Sequence, residues 1–291
     1  MMIDEILQHL LSGVTVGSIY AATALGLTLV YGLLKILHIA HAGVYVWGAY
    51  AGFYAYTYTG NPIVAGLASM AVAALLGVGI ERVFYLRLLD KPRYVPLMVS
   101  IALFILMEEL AANLFGHYPK GFHVEELPRQ SINVGGLTIN ALQVVVVSII
   151  LSAFVSLWAI LAKTRFGIAS QALIQDMEVS QALGVNLYRV LDVNFALGSA
   201  LAGLAGLIVG MYYSSIYPYM GNIVAYKALV VIVLGGFGSI AGALLGGIIL
   251  GVSEEFLTAY LGHILPREAF AFIVLVLLLI ARPQGLLGRG E

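Results

Sequence analysis

Cysteine is missing from the 291-residue chain, so disulfides, thiolate metal sites and cysteine nucleophiles are excluded and no redox compartment can be read. Charge is nearly as scarce. Asp, Glu, Lys and Arg supply 10% of the residues, against about 25% in soluble domains. Hydrophobic residues supply 61%, which leaves too little polar surface to coat a water-soluble globule. The 14 basic and 15 acidic residues nearly cancel, and no basic stripe or run of like charges exists, so a nucleic-acid partner is excluded. None of the lysines at 35, 91, 120, 163 and 227 follows a glycine. The Gly-Lys-Ser/Thr phosphate loop is therefore absent, and with it ATP hydrolysis by that device. The first residues, Met1-Met2-Ile3-Asp4-Glu5, contain no Lys or Arg, so the first apolar run reads as a retained span rather than a cleaved signal.

What is present is apolar sequence in long stretches, with a mean hydropathy of +0.99. In hydrocarbon every backbone N–H and C=O must be paired within its own segment, and barrel alternation is absent, so these runs predict helices of about 20 residues. The expected fold is an all-α polytopic transmembrane bundle forming a single domain over 1–291. Spans are expected near 10–32, 39–59, 63–80, 96–115, 138–161, 191–213 and 268–281, with a Gly-rich stretch at 224–261. Together these make about eight or nine membrane segments. Pro62, Pro92, Pro96 and Pro283 stand at proposed edges.

Lys and Arg concentrate in cytoplasmic loops. Arg82, Arg87, Lys91 and Arg93, then Lys163, Arg165 and Arg189, then Arg282 and Arg289 place those segments and the C-terminus inside. The N-terminus and the 116–137 loop, with Glu125 and Glu126, fall outside. The 224–261 stretch must then return to the side it left, as two short spans or a re-entrant hairpin turning at Gly235-Gly236-Phe237-Gly238-Ser239. A break of that kind within the membrane hints at a pathway.

Small residues recur every fourth position at Gly198/Ala202/Gly206/Gly210, Gly238/Gly242/Gly246, Gly13/Gly17 and Gly48/Gly52, a spacing that lets helix backbones approach closely. His38 and His41 lack the spacing and the intervening glutamate of a zinc protease and read as interfacial histidines at a helix start. Ionisable residues inside the membrane are functional candidates by default: Glu108 and Glu109 in the fourth span, Lys227 and Glu254 in the hairpin. A turn at 240–241 sets Lys227 and Glu254 at equal depth, where they can pair. The cytoplasmic stretch 164–187, within a loop at 163–189, spaces its apolar residues near helical periodicity, with Asp176 and Glu178 between them and Gly184 as a stop. An amphipathic helix over 168–184 with an acidic and neutral interior suits a protein groove better than lipid headgroups.

The Glu178-to-Gly184 spacing resembles the coupling motif by which permeases of binding-protein-dependent ABC transporters dock onto their ATPases. More broadly, the chain resembles the branched-chain amino acid ABC transporter permeases. The matching residues run from Gly17-Ser18-Ile19-Tyr20-Ala21 and Ala24 through Gly32, to Ala40-His41, Glu81-Arg82-Val83, Gln175-Asp176 and Gly184-Val185-Asn186. They continue at Tyr226-Lys227-Ala228, Leu234 through Ile240 and Pro283 through Arg289. The resemblance implies import of a branched-chain or other small amino acid, an amide or urea. It implies two cytoplasmic ATPases that use ATP and Mg²⁺, a second homologous permease or a copy of this chain, and an external solute-binding protein. This chain itself is expected to bind no cofactor and to be no enzyme, multi-pass in a prokaryotic plasma membrane and in contact with its lipid. ATPase coupling falls on Ala172, Gln175, Asp176, Glu178, Ala182, Leu183 and Gly184. The translocation path or gate falls on His41, Glu108, Glu109, Lys227, Gly235, Gly236, Gly238, Ser239 and Glu254. Three places depart from the family pattern. An acid is missing after His41, Gln171 stands where an arginine is usual, and Glu108-Glu109 replaces an amide-rich pair. The alternative from a different class is a gradient-driven carrier or channel using Glu108, Glu109 and Glu254 as proton or cation sites.

Overall fold

The computed structural model describes residues 2–125, 130–134, 137–282 and 284–288. Glu126, Pro283 and Arg289 lie outside the described residues. Eleven helices follow in order among the described residues: α1 (Met2–Leu34), α2 (Ala40–Thr59), α3 (Pro62–Val83), α4 (Tyr94–Phe115), α5 (Ala141–Lys163), α6 (Arg165–Gln175), α7 (Met177–Ala182), α8 (Leu187–Tyr212), α9 (Gly221–Gly235), α10 (Ile240–Leu261) and α11 (Arg267–Ala281). Seven helical stretches among the described residues are long and apolar enough to cross a membrane, α2 and α11 not being among them. The chain is a polytopic helical bundle.

The 116–137 loop is not wholly irregular. Strand β1 (Lys120–Gly121) pairs antiparallel with β4 (Ser215–Ile216), and β2 (Ser131–Val134) with β3 (Leu137–Asn140). These strands cluster at one end of the bundle, where Gln8 of α1 donates to and accepts from the backbone of Thr138.

Helix starts follow from local chemistry. Orphan N–H groups of a first turn need acceptors, and Asn61, Asn140, Thr164, Asp176, Asn186 and Ser239 supply side-chain oxygens at α3, α5, α6, α7, α8 and α10. The single helix expected over 168–184 is therefore two. Asp176 accepts the Val179 N–H at 2.9 Å and starts a new helix instead of continuing the old one. Gly184, at φ 92°, closes the segment in left-handed geometry that a side chain would strain.

Helix α1 is the hub. In its most apolar window 89% is buried, against 17% in α5, so α5 faces the periphery. Its polar residues satisfy themselves: Thr15, Ser18 and Thr28 donate to the carbonyl four residues back, which removes the need for water in a dry bundle. Its most extensive contact is with α10. A methyl group added at Gly17 would stand 2.7 Å from the Gly247 carbonyl, and one at Gly247 would stand 2.6 Å from the Ala21 nitrogen. Gly26 meets Gly198, and Gly48 meets Gly203. The small-residue spacing thus marks real close approaches, with Gly203, Gly247 and Gly251 joining the positions foreseen. Gly238 leaves the proposed ladder, since it lies in the α9–α10 turn, outside any helix.

The end opposite the strands gathers the close of α1, the α3–α4 connection and α6–α7 around Leu33, Leu173, Leu187, Val190 and Leu191. The α9–α10 turn joins them there, with Gly238 against Gly32.

Candidate translocation site

Four helices bring their scarce charges to one point. Lys227 of α9 and Glu254 of α10 meet at 2.8 Å and are almost fully buried, with side chains 4% and 0% exposed. Tyr20 of α1 donates to the same Glu254 oxygen at 2.8 Å and accepts from the Lys227 ammonium, which also lies 4.4 Å from the Tyr20 ring centre. Arg267, opening α11, donates Nε to that oxygen at 3.2 Å and Nη2 to Glu255 at 3.4 Å. Two cations thus face two carboxylates. Desolvated charges persist only when paired and hydrogen-bonded, and this cluster pairs its charges through Glu254 Oε2, on which residues far apart in sequence converge, while Oε1 is buried without a partner among the described residues.

The cluster forms one wall of a cavity of about 400 Å³ bounded by α1, α2, α8, the α8–α9 connection, α9 and the start of α11. That volume falls within the roughly 300–1,000 Å³ of small-molecule sites. Four tyrosines line it, Tyr20, Tyr45, Tyr213 and Tyr217, together with an aliphatic surface that includes Ile19, Val209 and Ile223. Lys227, Arg267 and Glu268 bring charge to its lining.

The other residues singled out in the sequence disperse. His41 packs against Gly26, three residues past Thr23 in the cavity wall. Both histidines are buried rather than interfacial, His38 at 1% and His41 at 2%. The reason is aromatic packing: His38 stands edge-on to Tyr85 and Phe195 and hydrogen-bonds the Tyr85 hydroxyl at 2.7 Å. Among the described residues no group of three or more His, Asp or Glu is placed to hold a metal. Glu108 is buried and accepts from Asn222, while Glu109 is exposed.

Gly235, Gly236, Gly238 and Ser239 form the α9–α10 turn. Gly235 lies eight residues past Lys227, roughly 12 Å along a helix, and none of the four lines the cavity. Gly236 and Gly238 adopt φ of 96° and 75°, and Ser239 caps α10 by accepting from Gly242 at 3.0 Å. The backbone N–H groups of Leu286 and Leu287 bond the Leu234 and Gly235 carbonyls at 2.8 and 2.9 Å, so the C-terminal segment completes the end of α9.

In the α6–α7 segment, Gln175, Asp176, Glu178, Ala182, Leu183 and Gly184 are exposed and Ala172 is half-buried. Leu173 packs inward, whereas Ile168 is 68% exposed and Leu183 81%.

Tyr20, Arg267 and the cavity tyrosines escaped the sequence reading. Arg267 stands just before the last expected span, and only its spacing of 13 residues from Glu254, across a second hairpin, offered a signal.

This arrangement defines a polytopic membrane protein with a charge-lined cavity at one end and a protruding helix pair at the other. The family model described as branched-chain amino acid transport system permease component matches residues 9–282, and the chain belongs to that family. It is 33% identical to the high-affinity branched-chain amino acid transport system permease protein LivH of Escherichia coli K12 and 34% identical to BraD of Pseudomonas aeruginosa. Each comparison covers 98% of this chain and 96% of the relative. The E. coli permease protein LivM is 26% identical, over 94% of this chain and 68% of its own length.

Proposed function

We propose that this permease is one of two membrane subunits of a binding-protein-dependent ABC importer for branched-chain or other small amino acids. Its relatives are named for branched-chain amino acid transport, and likeness to both LivH and LivM supports pairing with a second, homologous permease. ATP and Mg²⁺ belong to two separate cytoplasmic ATPases, an external protein delivers the solute, and this chain holds no cofactor. In a prokaryotic plasma membrane, α2 and α11 raise the seven apolar stretches to nine segments, with α9 and α10 as the arms of the glycine-rich hairpin. An odd number of passes sets the N-terminus outside and the C-terminus in the cytoplasm. Support comes from Arg87, Lys91, Lys163 and Arg165 lying in or beside the segments gathered at the α6–α7 end, as the positive-inside rule expects.

The observation that carries the reading is the α6–α7 pair, anchored by Leu173 yet presenting Ile168, Val179 and Leu183 outward. An apolar patch on a cytoplasmic projection calls for a protein partner, and the ATPase is the partner that supplies energy to a chain lacking a phosphate loop. Movement of this pair reaches the α9–α10 turn through Ile174, which lies beside Gly32, and α9 then carries it to Lys227. Ile168→Asp with Leu183→Asp, co-expressed with the partner subunits, should reduce amino acid uptake at least about tenfold and abolish co-purification of the ATPase, with the melting temperature of the permease unchanged. Unaltered uptake, or uptake by the purified chain alone in an ion gradient, overturns the reading.

A further inference from the structure

We propose that the cavity beside the Lys227–Glu254 pair is a binding site within the permease for an aliphatic α-amino acid zwitterion, its carboxylate toward Arg267 and its ammonium toward Glu268. The proposal rests on the reading of the chain as an amino acid permease and assigns that solute a place in it.

A zwitterion leaving water needs both charges answered at once, because either one buried alone is costly. The cavity offers both signs on consecutive residues. Arg267 engages Glu254 and Glu255 through Nε and Nη2, and among the described residues nothing is recorded on Nη1, so its N–H groups remain for a carboxylate. Lys227 is a poorer anchor, since Tyr20 and Glu254 already hold its ammonium. Its role is to hold Glu254 in place. Glu268, next on α11, is exposed and lines the same cavity, which makes it the free carboxylate of the wall.

A second, independent observation points to a ligand. Tyr45 is 0% exposed, lines the cavity, and its hydroxyl has no hydrogen-bond partner among the described residues. Of the six buried hydroxyls without a partner among the described residues, that of Tyr45 is the one in a residue lining this cavity; buried polar groups normally find partners, and a polar group entering the cavity would satisfy it. The lining also includes Ile19, Val209, Ile223 and Val224, branched side chains that suit an aliphatic substituent and offer nothing to a polar one. Small-molecule sites commonly combine such an apolar lining with a few convergent polar groups.

The test uses the full transporter, assembled with its ATPases and partner permease, purified without the binding protein, and probed with radiolabelled leucine at equilibrium. Saturable binding is expected, displaced by leucine and more weakly by leucinamide, which lacks the carboxylate, and by 4-methylpentanoate, which lacks the ammonium. Arg267→Gln should weaken leucine roughly tenfold or more while leaving leucinamide nearly unchanged. Glu268→Gln should weaken leucine similarly while sparing 4-methylpentanoate, a matched loss that a merely structural role does not produce. Arg267→Gln also removes one of three donors to Glu254 and a partner of Glu255. Glu268→Gln disturbs no ion pair among the described residues, so it keeps the test valid if the first variant fails to fold. Ile223→Trp, which fills the cavity, should abolish binding of all three compounds. Leucine binding indifferent to all three substitutions overturns the proposal. So does absence of saturable binding in a complex that imports leucine when its binding protein is added, an outcome that leaves the permease reading intact. Failure of the complete complex to import any amino acid overturns that underlying reading instead.

Discussion

Helices α1 and α10 meet in two ways within the same antiparallel contact. Along one seam Gly13, Gly17 and Ala21 face Val252, Gly251 and Gly247 with backbones touching and no polar side chain between them. Beside it Tyr20 and Glu254 meet as part of a four-residue charge network. The seam draws on dispersion, about 0.1–0.2 kcal/mol per atom pair and significant only in sum, and involves no desolvation of charge. The network draws on electrostatics in a dry setting, where each group depends on the others. A smooth glycine surface sets how near two helices come but tolerates sliding. Directional bonds from Tyr20, Lys227 and Arg267 to one carboxylate oxygen set register.

The comparison is most directly broken at the seam. Gly251→Leu drives a side chain into the Gly17 backbone and the Gly13 carbonyl, and overpacking against backbone should cost about 3 kcal/mol or more, read as a large fall in detergent melting temperature. Gly66→Leu, where nothing stands within 4 Å, should leave the melting temperature unchanged. Equal behaviour of the two would show that the seam is not rigid.

Next comes the network. Glu254→Gln leaves Lys227 and Arg267 without their shared carboxylate, and breaking a buried pair costs about 3–5 kcal/mol. Lys227→Met with Glu254→Met removes both members of the central pair while Arg267 keeps Glu255, so the double variant should be more stable than Glu254→Gln alone. A double-mutant cycle measures this coupling, and additive losses would show that the two residues do not act as a pair. The smallest effect belongs to a single neutral bond between α2 and α4. The Ala40 N–H donates to the Ser100 hydroxyl at 2.9 Å, a cap supplied from another helix. Ser100→Ala should cost about 1 kcal/mol, measured by the same melting assay.

Much of the local structure was legible in the sequence because it depends on neighbours along the chain. The break at Gly235-Gly236 follows from a residue at φ 96°, which favours glycine, and Gly184 ends its helix for the same reason. The pairing of Lys227 with Glu254 was legible only as a contact between hairpin arms: the turn expected at 240–241 lies at 236–239, so the two residues are not equidistant from it, and the packing of α9 on α10 brings them together. Asp176 carried a signal that was misread, because an acid three residues before Val179 suits the start of a helix as well as its interior. The amides of Leu286 and Leu287 at the end of α9 had no such signal, because a backbone N–H looks the same in every sequence.

The sequence by itself determined the medium and the helical class. So few charges cannot hydrate a globule, and hydrocarbon admits these long apolar runs only with their backbones internally bonded. It also determined where the helices break and which small residues allow close approach. Only the tertiary structure decided which charges meet. Tyr20 lies 234 positions from Glu254, and their contact depends on the rotation of α1 and α10 about their own axes, which packing against α8, α9 and α11 sets. The cavity belongs to the same level, since its walls come from five helices and a connecting segment and no stretch of the chain contains it.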